Sequence, residues 1–104
     1  MPTILLTGAS RGLGVLIATS LARPGTHLVL AARSEAGLAQ TAEAVRALGA
    51  EATVVPCDVS DPDQLDHLAQ VAGDVDILVH NAGIEQVVSA IEQDPSFAAK
   101  QIAV

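Results

Sequence analysis

Thr7-Gly8-Ala9-Ser10-Arg11-Gly12-Leu13-Gly14 joins a short apolar run, Thr3 to Thr7, to a stretch of helical period, and this join decides the fold. A strand that must turn directly into a helix needs residues without side chains at set places. Gly8 supplies the tight turn. The missing Cβ of Gly12 lets a pyrophosphate approach the backbone, and Gly14 lets the helix pack close to the sheet. The free N–H groups and the positive dipole end of that helix then face the phosphates, with the Ser10 hydroxyl in reach of one. After the loop, Leu13, Leu16, Ile17 and Leu21 recur at spacings of three and four, which reads as the buried face of a helix from Arg11 to Ala22. Arg23-Pro24-Gly25 stops it.

Outward from this join the apolar period keeps switching. His27 to Ala31, Ala52 to Val55 and Val75 to Val79 read as strands. Ser34 can cap a second helix with the face Leu38, Thr41, Ala42, Val45 and Leu48, stopped by Gly49. Ser60-Asp61-Pro62-Asp63 starts a third, with the Ser60 hydroxyl as the cap, proline in the first turn, and Leu65, Leu68 and Ala72 as its face. Gly73 ends it. Asp94-Pro95 starts one more helix that runs to Val104. Strands alternating with helices of 10–15 residues form right-handed parallel crossovers. Runs apolar on both faces suit a sheet covered on both sides. The expected fold is α/β, an open doubly wound parallel sheet, in one domain over residues 1–104.

Composition narrows the function. Of 104 residues 50% are hydrophobic, which excludes disorder. The longest apolar run, Leu28 to Ala32, is far short of the ~18 residues of a membrane span. A net charge of -7 argues against a nucleic-acid or anionic-membrane surface. With no charged start, apolar stretch and cleavage site, the chain reads as cytoplasmic by default. Cys57, His27, His67 and His80 have no metal-ligand spacing, so no metal is expected. Cys57 is expected to pack as a small apolar residue, His67 to be solvated and His80 to have a local structural role, with a tuned catalytic histidine as the alternative.

Three further segments follow strands: Ala31-Ala32-Arg33-Ser34, Cys57-Asp58-Val59-Ser60 and Asn81-Ala82-Gly83. In a parallel sheet those turns share one edge with the glycine loop, the edge where open α/β folds bind ligands. Binders of a ribose 2′-hydroxyl place an acid after the second strand. Here Ala31, Ala32 and Arg33 stand there, and Arg33 can form charge-assisted bonds to a 2′-phosphate, with Arg11 reaching the same group. The plainer alternative is two solvated surface charges.

T-G-x-x-x-G-x-G, together with these three turns, resembles the short-chain dehydrogenase/reductase family over essentially the whole chain. The resemblance implies a Rossmann-type sheet whose first four strands pair in the order 3-2-1-4. It implies a nicotinamide dinucleotide, NADP preferred and NAD possible, with Gly8, Ser10, Arg11, Gly12, Leu13, Gly14 and Arg33 around its phosphates. Asp58 would meet the adenine amino group with Val59 beside the ring, and Asn81, Ala82 and Gly83 would steady the sheet and admit the ribose. It further implies hydride transfer to or from a small carbonyl or alcohol substrate, and a homo-oligomer. By the resemblance, the family's catalytic serine, tyrosine and lysine would lie beyond Val104, and this sequence has no tyrosine. The chain is therefore expected to be the cofactor-binding half of a reductase, inactive alone. The other reading is a nucleotide-binding α/β module without catalysis.

Overall fold

The structure, a computed structural model, describes residues 2–81. Leucine- and valine-rich runs form four strands, β1 (Thr3–Thr7), β2 (His27–Ala32), β3 (Glu51–Pro56) and β4 (Ile77–His80). Between them lie α1 (Gly12–Leu21), α2 (Glu35–Ala47) and α3 (Pro62–Ala72). The strands make one parallel sheet in the order β3-β2-β1-β4, the order the family resemblance implies. The helix expected from Asp94-Pro95, and the turn residues Ala82 and Gly83, lie outside the described residues.

Alternation along the strands sends side chains to two cores. Ile4, Leu6, Leu28 and Leu30 meet α1 and α2 through Ala18, Leu38, Ala42 and Val45. Val29, Ala31 and Val55 meet α3 through Leu68 and Ala72, with Cys57 buried among them. Full burial of each large aliphatic side chain contributes about 1.5–3 kcal/mol, so the central strands carry most of the sheet's stability. Cross-strand polar pairs assist the register. His27 Nε2 and Thr53 Oγ1 lie 2.7 Å apart between β2 and β3. The Thr3 N–H donates to Asp76 Oδ2 at 2.7 Å just before β4.

Helix ends follow local chemistry, with one correction. Ser34 caps α2 as expected, accepting from the Gly37 N–H at 3.1 Å. The cap of α3 is Asp61, not Ser60: its side chain accepts from the Asp63 N–H at 3.0 Å. Pro62 takes the first helical position and holds the residue before it extended, which makes Asp61 the capping residue. The Ser60 hydroxyl instead donates to Asp58 Oδ1 at 2.6 Å.

The helix faces also differ in part from the leucine spacing. On α1 the buried residues are Gly14 and Ala18, flanked by partly buried Ile17 and Leu21. Leu13 is 44% and Leu16 64% exposed. The helix begins so close to the sheet that only small residues fit underneath, and the larger leucines turn outward. Leu48 on the second helix face and Leu65 on the third are likewise exposed. Along β4, Ile77 and Leu78 are exposed as well.

This orientation gives a contrast in stability. Ala18→Leu should overpack the α1–sheet contact and lower unfolding free energy by about 1–3 kcal/mol, although leucine is a good helix former. Leu16→Ala should change it by no more than about 0.5 kcal/mol, as for surface sites. Urea denaturation reads both, and a larger loss at Leu16 than at Ala18 would contradict the orientation.

Candidate functional site

All four strands run in one direction, so the loops that follow them meet at one edge. β1 lies between β2 and β4, and there successive connections leave to opposite sides of the sheet, opening a crevice. Gly8 to Arg11, Arg33 and Ser34, Cys57 to Ser60, and Asn81 all stand at this edge. Two backbone bonds tie the loops after β1 and β3 to the end of β2: Ala9 N–H to the Ala31 carbonyl at 3.2 Å, and Cys57 N–H to the Ala32 carbonyl at 2.8 Å.

The glycine loop has backbone shapes that side chains resist. Gly8 has φ 68° and Gly12 φ 56°, both in the left-handed region. At Gly14 the requirement is space: a Cβ there would run into the Gly8 carbonyl oxygen and stand 3.0 Å from Asn81 Nδ2. The start of α1 carries no competing charge. Arg11 stands at its N-cap in extended conformation without a side-chain cap bond, and no acidic residue lies in the first turn. The positive end of the helix is thus left for an anion.

Asn81 is fully buried, and its Nδ2 donates to the Gly8 carbonyl at 3.1 Å. Its Oδ1 is buried with no hydrogen-bond partner among the described residues. Beside it, Thr7 Oγ1 and His80 Nδ1 lie 3.0 Å apart, the local structural contact expected of His80. Ser10 is half-buried, while Arg11, Gly12, Leu13 and Arg33 are exposed at the rim. Arg46, on the far end of α2, engages the Ala52 carbonyl at 2.9 Å; Arg11 and Arg33 have no such bond among the described residues.

At the outer end of the same edge, after β3, Asp58 sits in a tight turn. Its Oδ1 accepts from the Ser60 hydroxyl at 2.6 Å and from the Ser60 N–H at 3.0 Å. Those two bonds, hydroxyl first, hold the carboxyl below the usual range; the Arg33 charge adds to them, and partial desolvation opposes them. Cys57 differs: burial, then the charges of Asp58 and Asp61, push its thiol up. It stays a protonated packing residue rather than a nucleophile.

Gln64 belongs to this turn, although its role does not follow from strand-end motifs. Its Oε1 accepts from the Asp58 N–H at 2.8 Å, and its Nε2 donates to Asp61 Oδ2 at 3.1 Å. Asp61-Pro62-Asp63-Gln64 has the spacing of a capping box, which is the signal for it in the sequence. The polar end of Gln64 thus holds the adjoining backbone while Ser60 holds the Asp58 carboxylate.

Comparison with known proteins places this arrangement. The family model for short chain dehydrogenase matches residues 2–104. The ketoacyl reductase HetN of Nostoc sp. is 51% identical over 87 residues, which are 80% of this chain and 30% of that protein. The structure of L-sorbose reductase from Gluconobacter frateurii, complexed with NADPH and L-sorbose, superposes with a TM-score of 0.69 at 32% identity, over 74% of this chain and 31% of that one. NAD+-bound xylitol dehydrogenase gives 0.66 at 30% identity over 74% of this chain and 31% of its own. The chain thus spans about a third of the length of these relatives. A family model matched over nearly every residue, on a sheet of the same strand order, makes this chain a member of the short-chain dehydrogenase family.

Proposed function

We propose that residues 1–104 supply the dinucleotide-binding part of an NADP-dependent oxidoreductase that moves hydride between the nicotinamide and a small carbonyl or alcohol substrate. One observation carries the choice of NADP. Arg33 stands exposed at the end of β2, where an acid would serve a 2′-hydroxyl, and Arg11 stands exposed in the facing loop. Two of the five Lys and Arg residues of a chain with net charge -7 thus lie at one edge. The L-sorbose reductase complexed with NADPH supports the reading as a relative, whereas the NAD+-bound xylitol dehydrogenase shows that the fold also serves the other cofactor.

The residues present fit such a ligand. The backbone from Gly8 to Gly14, with Ser10 and Leu13, holds the pyrophosphate against the uncapped start of α1. Arg11 and Arg33 hold the 2′-phosphate by charge-assisted bonds. The Asp58 carboxylate, its pKa lowered by the Ser60 bonds, would accept from the adenine amino group, with half-buried Val59 beside it in the same turn. Asn81 fixes the turn through the Gly8 carbonyl. The bound cofactor would supply the hydride, and these residues would bind and orient it.

Two outcomes follow. Arg33→Ala should weaken NADPH binding by about 1.5–3 kcal/mol, the worth of a hydrogen bond to a charged group, and leave NADH binding nearly unchanged. Calorimetric titration with both cofactors tests this, and equal losses would show that Arg33 does not read the 2′-phosphate. Ser60→Ala should raise the Asp58 pKa toward its ordinary value, read by a carbon-detected NMR titration of the carboxyl. A depressed folded-state pKa stabilises the fold above the unfolded pKa and is lost as pH falls through the folded value. The variant should therefore lose stability relative to wild type at neutral pH, with the difference vanishing in strong acid. An unshifted titration would contradict the turn's role.

A further inference from the structure

Gly37 is the third residue of α2, where glycine is the poorest helix former short of proline. Its backbone does not require glycine, because its φ is not positive. Space does. A Cβ at Gly37 would stand 2.7 Å from the Ser10 carbonyl oxygen, 2.8 Å from Ser10 Cβ and 3.2 Å from Ser34 Oγ. Its N–H also donates to Ser34 Oγ at 3.1 Å. The first turn of α2 therefore rests directly on the backbone of the glycine loop. Ser10 precedes Arg11, and Ser34 follows Arg33. Gly37 is thus in contact with the chain neighbour of each arginine.

We infer that Gly37 is a positioning residue for the 2′-phosphate end of the cofactor site: its missing side chain sets the spacing between the segments that carry Arg11 and Arg33. The inference rests on the NADP reading above. A methyl group at Gly37 meets a backbone oxygen that cannot rotate away, so either α2 or the loop must move. α2 is held by Leu38, Thr41, Ala42 and Val45, all buried. The loop lies between two glycines of positive φ, Gly8 and Gly12, and has the softer backbone. The displacement therefore falls on Ser10 and Arg11, while the Ala9 N–H bond to the Ala31 carbonyl keeps the inner part of the loop in place. The pyrophosphate cradle is largely spared and the spacing of the arginines is not.

The test measures the Kd of NADPH and of NADH for the full-length protein, wild type and Gly37→Ala, together with the melting temperature. A hydrogen bond to a charged group is worth about tenfold to about 150-fold in affinity. Misplacing one arginine without removing it should reduce the NADPH-over-NADH preference by about three- to tenfold, a part of that range. Replacing a helical glycine by alanine otherwise favours the helix, so a purely structural Gly37 would give a changed melting temperature and an unchanged preference. That result overturns the inference while leaving the cofactor reading standing. A wild-type protein with no preference for NADPH overturns the cofactor reading and the inference with it. Should Gly37→Ala fail to fold, Ser34→Ala takes its place. It frees the same turn from the Arg33 side without crowding Ser10. It should also reduce the preference, and an unchanged ratio there overturns the inference.

Discussion

The carbonyl of Gly8 is the point on which the rest of the edge depends. Asn81 donates to it from the end of β4, and Gly14 brings α1 against it by lacking a side chain. β1, α1 and β4 are therefore fixed to one another at one backbone oxygen, just where the crevice opens. A buried hydrogen bond has a modest net worth, but leaving its partner unsatisfied costs about 1–3 kcal/mol. The arrangement is thus self-enforcing: a side chain at Gly14 would displace the helix, and losing Asn81 would strand the Gly8 carbonyl. The closeness of α1 also explains why small residues, Gly14 and Ala18, face the sheet while Leu13 and Leu16 turn outward.

Around this point the charges are arranged locally rather than globally. The chain is acidic overall, yet the helix start has no acid in its first turn and two exposed arginines stand near it. Exposed charges are screened over about 8 Å at physiological salt, so an anion at the crevice responds mainly to Arg11, Arg33 and the helix end. The acid that does belong to the edge, Asp58, has its Oδ1 held by Ser60. Its neighbour Gln64 fixes the backbone from the other side. Family membership and this electrostatic pattern together lead to the dinucleotide reading.

Much of this was legible in the residues. Period switching and punctuation by glycine and proline located all four described strands and three helices, because each signal is local. Strand order needed the family resemblance, since pairing depends on contacts far apart in sequence. Helix faces were legible only in part: leucine spacing marks an apolar stripe, but the closeness of α1 to the sheet selects small residues, and closeness is a tertiary property. For the cap of α3 the sequence offers two polar residues before Pro62, and the proline's geometry selects Asp61 over Ser60. Gly37 was invisible as a site residue, because a glycine inside a helical pattern gives no sign of the distant backbone it admits.

An amide NMR titration of the full-length protein with NADPH tests the cofactor edge most directly. The largest shifts are expected at Gly8 to Gly14, Arg33, and Asp58 to Ser60, the loops at the strand ends of one edge. Shifts centred on another surface, or none at saturating NADPH, would contradict the assignment of this edge as the cofactor site.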